Sequence, residues 1–149
     1  MYGSRIDPQR GLLVGLFSGS NNDDEDYRRY VTSILDADRQ TRPETAKLAV
    51  LMVDRANPPP NAQWRRRIAE ATASIRTEGA LFVLCAESPV IRGVLTAINW
   101  IRPPKYEVRI VGTLDALLVV VRERGPSMAE HVERALGALR AELPPSPGA

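Results

Sequence analysis

The segment from Ala80 to Ile110 constrains the fold more than any other part of the chain. An apolar run ends at Ala86, Ser88-Pro89 then opens an amphipathic stretch, and a short β-like run follows Arg102-Pro103-Pro104. This strand–helix–strand order with short connections is typical of a parallel sheet covered by helices. Because ligand sites in such folds lie at the carboxyl ends of the strands, the residues after Ala86 are where we first expect one.

The rest of the chain predicts further alternating elements. Two short strands, Gly3 to Asp7 and Leu12 to Ser18, flank a turn with Pro near its start and Gly at its end. Acidic residues from Asp23 to Asp26 begin a first helix, and the apolar run Leu48 to Val53 predicts a strand buried on both faces. The predicted order is β-β-α-β-α-β-α-β-α-α. This order indicates an α/β fold with a single mixed, mostly parallel sheet of about four or five strands and an antiparallel N-terminal hairpin.

Composition limits the class of protein. The 149 residues are enough for one domain with its own core, which we place at residues 1–142, before a disordered Pro-rich tail at 143–149. The 20 Lys and Arg residues barely exceed the 18 Asp and Glu residues, so charge does not indicate a nucleic-acid partner. The single Cys suits a reducing compartment, and the start lacks the apolar core of a signal peptide. Since no apolar run is long enough to span a bilayer, we expect a cytoplasmic protein without integral membrane association.

Three segments carry a family resemblance. They are LLVGLFSG with the acidic helix start DDEDYRRY, KLAVLMVD leading into an arginine-rich helix, and LFVLCAESPVIRGVLTAINWIRPP followed by TLDALLVVV. From about Leu12 to Val121 the chain thereby resembles the STAS-like domains of anti-sigma-factor antagonists and the wider SpoIIAA-like group of small bacterial proteins. The resemblance implies a non-catalytic signalling module that binds protein partners, with nucleotide or lipid ligands in some relatives. The serine that is phosphorylated in anti-sigma-factor antagonists has no counterpart here, because Asp54 to Ala62 contains no Ser or Thr.

Ser88 and Arg92 are the first candidate ligand-binding residues. Ser88-Pro89 begins a predicted helix, where free N–H groups and the helix dipole favour an anion, and Arg92 lies one turn further on. Asn57 and Asn61, in the Pro-rich loop after the second apolar run, would supply the other wall, although Asn61 also suits an N-cap. The alternative for Ser88 is the commoner role of an ordinary N-cap. A small anionic or lipid-like ligand at this rim is the second function hypothesis beside a protein–protein interaction module.

Trp100 is the candidate partner-binding residue. It lies at the end of the predicted helix before Arg102-Pro103-Pro104, where a tryptophan either completes the core or anchors a partner. Core packing is the favoured interpretation, and a homodimer contact is the leading alternative. Thr113 is predicted to cap the next helix. That helix is apolar nearly all round, so either the last helix covers it or another subunit does. Ser127 with Glu130 predicts a capping box for that last helix.

The residues that catalysis or metal binding would need do not form a complete set. Cys85 follows a buried strand, but the only histidine, His131, is on the last helix, so an inert buried thiol is favoured. One Cys and one His leave no zinc cluster, and acidic strand ends such as Asp54 and Glu87 are too common to indicate Mg²⁺. Arg65 to Arg67 point in three directions on a helix and predict a solvated face rather than a nucleic-acid interface. We therefore predict a non-enzymatic protein without a cofactor.

Overall fold

A computed structural model describes residues 1–101 and 103–143, in which strands and helices follow the predicted order. The strands are β1 (Tyr2–Asp7), β2 (Leu12–Phe17), β3 (Leu48–Val53), β4 (Leu81–Ala86) and β5 (Glu107–Val111). The helices are α1 (Asp24–Gln40), α2 (Ala62–Ser74), α3 (Pro89–Ile101), α4 (Leu114–Arg122) and α5 (Pro126–Glu142). None of these helices is both long and apolar enough to cross a membrane. Residues 144–149 of the predicted disordered tail lie outside the described residues.

The sheet places its strands in sequence order, β1-β2-β3-β4-β5. β1 and β2 are antiparallel, with Tyr2 opposite Phe17 and Asp7 opposite Leu12, and all later pairs are parallel. The predicted hairpin and mixed sheet are therefore confirmed. The three crossover helices α1, α2 and α3 all contribute to the core on one face of the sheet, as crossovers of one handedness require, and α4 and α5 cover the other face.

Alternating side chains of β2, β3 and β4 divide the interior into two cores. Toward α4 and α5 the buried side chains include Leu16, Val50, Val83, Leu117, Val121, Val132 and Leu139. Toward α1 and α2 they include Phe17, Leu51, Leu84, Tyr27, Tyr30 and Trp64. Burial on both faces explains why these strands read as continuous apolar runs.

The alternatives for the apolar helix after Thr113 are settled by α5. Leu117, Leu118, Val120 and Val121 of α4 are all buried in the same core as side chains of α5. Val119 is the exception, because it lies on the outer side with 60% of its surface exposed. The last helix therefore covers most of α4, and α4 needs no second subunit to bury it.

Local capping explains where the helices begin. The side chains of Asp23, Asn61 and Thr113 each accept a hydrogen bond from the backbone N–H three residues later, which confirms the caps predicted at Asn61 and Thr113. The capping box predicted for Ser127 with Glu130 is wrong. Helix α5 begins at Pro126, so Ser127 is already inside the helix and the N-cap is a glycine without a side-chain bond.

Gly15 in β2 makes room for a buried tyrosine from the neighbouring strand. The Tyr2 ring lies so close that a Cβ atom on Gly15 would be 2.6 Å from the Tyr2 hydroxyl oxygen. That hydroxyl hydrogen-bonds to Ser33 of α1 at 2.8 Å, and the Tyr2 backbone N–H donates to Asp26 at 2.9 Å. Burial raises the pKa of Tyr2 to about 12. Tyr2 thus ties the edge strand β1 to α1 through contacts that depend on a missing side chain in β2.

Replacing this glycine should destabilise the domain. We expect Gly15→Ala to lower the free energy of unfolding by about 1–3 kcal/mol, because the methyl group must displace a buried ring whose hydroxyl is hydrogen-bonded to Ser33. The matched control is Gly137→Ala in α5, where a Cβ atom meets nothing within 4 Å and should stabilise the helix by about 0.5–1 kcal/mol. Urea unfolding of both variants checks the pair, and equal midpoints would contradict the role assigned to Gly15.

Candidate functional site

At the carboxyl edge of the sheet, the loops after β4 and β5 diverge, and we call the place between these two strand ends the switch point. The chain leaves β4 toward α3 on one face, whereas it leaves the neighbouring strand β5 toward α4 on the other face. Diverging loops of this kind open a crevice between two strand ends, which is where α/β proteins commonly bind ligands. Ser88 and Arg92 lie at this position, since α3 begins directly after Ser88.

Arg92 occupies the space between the two strand ends. Its Nη1 atom donates a hydrogen bond to the backbone carbonyl of Ala86 at 3.0 Å, and its backbone N–H donates to the Ser88 carbonyl at 3.2 Å. The guanidinium group lies against Gly112, just after β5, where any Cβ atom would overlap with Nη1. The half-buried Arg92 side chain therefore joins the end of β4 to the end of β5.

Asn57 lies apart from this crevice and holds two loops together. Its side chain is 3% exposed and forms a reciprocal amide pair with Asn22, with N···O distances of 2.7 and 3.0 Å. The Asn57 amide also donates to the Gly19 carbonyl at 3.0 Å. Asn57 thereby connects the loop after β2 to the loop after β3, and each of its side-chain polar atoms has a partner within the protein.

Asp54, at the end of β3, completes this connection. Its carboxylate accepts hydrogen bonds from the Gly19 backbone N–H at 2.9 Å and from the Ser18 side chain, and it forms an ion pair with Arg140 of α5 at 2.6 Å. Burial pushes the pKa of Asp54 upward, but the hydrogen bonds and the positive charge of Arg140 outweigh burial and hold the pKa below its usual value. Asp54 is therefore a charged anchor for the C-terminal helix.

Asn61 serves as a helix cap rather than as a wall of the crevice. Its Oδ1 atom accepts a hydrogen bond from the Trp64 backbone N–H at 2.9 Å, at the start of α2. The Trp64 indole is buried, stacks on Tyr27 at a centroid distance of 5.6 Å and donates to Asp24 at 2.9 Å. Arg67 lies over the same indole at 4.7 Å. Asn61 and Trp64 thus fix α2 against α1.

Trp100 does not pack in the core, and that preferred interpretation is wrong. Its side chain is 82% exposed, because α3 contacts the sheet through Ile91 and Leu95 on its other side. The helix is apolar on both sides, so the pattern of apolar residues did not indicate which side faces the sheet. Since α3 runs from the carboxyl edge of β4 toward the start of β5, Trp100 and Ser88 lie at opposite ends of the helix.

The predicted site residues therefore form three separate groups rather than one pocket. Ser88 and Arg92 lie at the switch point, Asn57 and Asn61 in the loop before α2, and Trp100 at the far end of α3. Two open grooves of about 450 Å³ lie elsewhere, one between β1 and α1 and one near Lys105 and Tyr106. None of the five predicted site residues lines either groove.

Cys85 is a buried thiol beside the charge of Glu87, at the end of β4. Cys85 is 3% exposed, and burial together with the nearby Glu87 charge raises its pKa to about 11, so the thiol stays protonated near neutral pH. No group of three or more His, Cys, Asp or Glu residues in the described part of the chain is placed to hold a metal ion.

Sequence reasoning missed the residues that complete these contacts. Arg140, Asn22 and Gly112 are each far in sequence from the residue that they contact, and no local pattern marks them. Comparison of the chain with models of known families, with curated proteins and with solved structures finds no match. The STAS-like resemblance therefore stays a prediction.

The Asp54–Arg140 contact should make stability depend on pH in a defined direction. A carboxyl with a lowered folded pKa contributes stability that is present above its unfolded pKa and is lost as the pH falls through the folded value. We expect Asp54→Asn to lower the free energy of unfolding by about 1–3 kcal/mol at neutral pH, and the difference from the unchanged protein to narrow below about pH 4.

Glu133→Gln is the matched control for this measurement, because Glu133 is exposed on the same helix as Arg140. Denaturant unfolding at a series of pH values measures both variants. A difference for Asp54→Asn that stays constant down to low pH would show that the carboxylate charge is not what holds α5.

Proposed function

We propose that this protein is a non-catalytic regulatory or scaffolding module of STAS-like fold that works by binding another protein through α3. The observation that supports the proposal is the exposed apolar side of this helix. Trp100 and Val90 expose 82% and 66% of their surfaces there. Large exposed aromatic and aliphatic side chains on one helix face are typical of partner-binding surfaces.

The composition of α3 does not match its burial. Pro89–Ile101 contains a single charged residue, Arg92, whose side chain is directed to the switch point. Yet none of the α3 side chains that the structure describes is buried, whereas α1, α2, α4 and α5 each bury side chains. A helix that is more apolar than its own fold requires is explained most simply by a partner that covers it.

The polar residues at the carboxyl edge of the sheet also favour protein binding through α3 over a reactive site at that edge. Asn57 and Asn61 satisfy backbone and side-chain groups of the protein itself, and Asp54 is neutralised by Arg140. Cys85 is buried with a raised pKa. Residues that would form a reactive site are thus used to hold loops and helices in place.

Partner capture through Trp100 tests the proposal. The full chain, immobilised as bait, should retain a defined protein from a lysate of its source cells, and Trp100→Ala should reduce the retained amount at least tenfold, as expected for an interface anchor. Val119→Ala is the matched control, because Val119 is 60% exposed on α4 on the opposite face of the sheet. Capture that is equal for all three baits would contradict a docking role for α3, and capture that is absent for all three would contradict the binding of a different protein.

A small anionic ligand at the switch point is the second candidate function. Arg92 uses Nη1 for the Ala86 carbonyl, and its Nε and Nη2 atoms have no hydrogen-bond partner among the described residues. These donors lie beside the N-terminus of α3, whose helix dipole also favours an anion. A phosphate or carboxylate group of a small or lipid-like molecule is the chemistry that this position suits.

Inorganic phosphate is a suitable probe for this second function. Phosphate should raise the melting temperature of the protein in a saturable way, and Arg92→Gln should abolish this shift because the glutamine carries no positive charge. Arg66→Gln on the exposed side of α2 is the control and should leave the shift unchanged. A shift that survives Arg92→Gln would exclude the switch point as the anion site.

A further inference from the structure

The outer face of α3 consists of Val90, Gly93, Ala97 and Trp100, all of them exposed. These residues are three, four and three positions apart, so they form one line along the helix. The side chains along this line are small in the middle, at Gly93 and Ala97, and large at the two ends, at Val90 and Trp100. A Cβ atom on Gly93 would meet nothing within 4 Å, so the small residue is not required by packing inside the domain.

The pattern is complementary to itself when two such helices lie antiparallel. With a twofold axis halfway between Val90 and Trp100, Val90 of one chain lies opposite Trp100 of the other. Gly93 then lies opposite Ala97, which lets the helix axes approach to about 8 Å, the lower end of the usual range. Val90 of each chain thus contacts Trp100 of the other chain at both ends of the interface, as a twofold axis requires.

Charge permits the same arrangement. The outer face of α3 carries no ionisable side chain, so two copies bring no like charges together. The exposed sides of α1 and α2 differ in this respect, because they carry Arg28, Arg29 and Arg65 to Arg67. A partner chosen by charge would use those helices, whereas α3 suits a partner that is equally uncharged.

The available area indicates how strong such a dimer is. A packed tryptophan buries about 150–250 Å², and with Val90 and the small residues two faces would bury on the order of 1,000 Å² in total. This value is near the lower limit for a specific interface. A second copy therefore fits as a reversible, concentration-dependent partner rather than as an obligate subunit.

We propose that the outer face of α3 binds the outer face of α3 in a second copy of this chain, antiparallel and around a twofold axis. This inference rests on the proposed function, because it names the partner of the same surface. Val90 and Trp100 supply the apolar contacts, and Gly93 and Ala97 set the close approach.

Sedimentation velocity of the full chain over a wide concentration range tests the proposal. The unchanged protein should form a dimer as concentration rises, and Trp100→Ala should weaken the dimer at least tenfold. Gly93→Leu should weaken it by a similar factor, because a leucine side chain forces the helices apart. Gly137→Leu on α5 is the control, since that glycine is also exposed with nothing within 4 Å of its Cβ position.

Disulfide capture tests the orientation. A mixture of Gly93→Cys and Ala97→Cys chains should form the mixed disulfide in preference to either homodisulfide, because these positions face each other only in antiparallel helices. The native thiol of Cys85 is buried and does not compete. Preference for the homodisulfides would overturn the antiparallel arrangement.

The outcomes separate this inference from the proposed function. A protein that stays monomeric at all concentrations, or a dimer that Gly93→Leu and Trp100→Ala leave intact, overturns the second copy as the partner. If such a protein still captures a different protein in a Trp100-dependent way, the docking function stands without self-association. If neither a dimer nor Trp100-dependent capture is found, both proposals fail.

Discussion

Burial of the central strands on both faces is the constraint from which the rest of the structure follows. β2, β3 and β4 place buried apolar side chains on both sides, so the chain must supply two helical layers. Crossovers of one handedness put α1, α2 and α3 on one face, and only α4 and α5 can reach the other. After β5 the chain therefore crosses to the other face of the sheet. Because the loop after β4 goes to the first face and the loop after β5 goes to the second, the switch point opens between these two strands.

The polar groups at the carboxyl edge of the sheet could either stabilise the fold or bind a ligand. Strand ends and loops need hydrogen-bond partners, and here Arg92, Asn57 and Asp54 supply them from within the chain. A ligand at the switch point would have to use the remaining donors of Arg92, or displace the Arg92 side chain from the Ala86 carbonyl at the cost of that hydrogen bond. The polar groups at this edge thus already stabilise the fold, which is the ground for proposing a docking surface on α3 instead.

Local features of the sequence predicted the architecture, while contacts between distant residues could not be predicted. Apolar runs identified the strands, and Asn61 and Thr113 identified helix starts, because a cap depends only on residues within one turn. The capping box predicted at Ser127 was wrong because Gly125 is the N-cap and Pro126 is already the first residue of the helix. Asp54 and Arg140 are 86 positions apart, and nothing near either residue reports the other. Trp100 was misplaced for a different reason, since a helix that is apolar on both sides does not reveal which side faces the sheet.

Because α3 is apolar on both sides but buries little of either, its stability is linked to the proposed binding of a partner. Ile91 and Leu95 fix α3 to the sheet while only partly buried, and β5, which α3 precedes, has no buried residue. Elements with little buried apolar surface are those that open most easily. A partner that covers the outer face of α3 would hold α3 and β5 in place at the same time, because it binds only their folded arrangement. The proposed docking on α3 would therefore couple binding to the order of the switch point, where Arg92 joins the start of α3 to the end of β5.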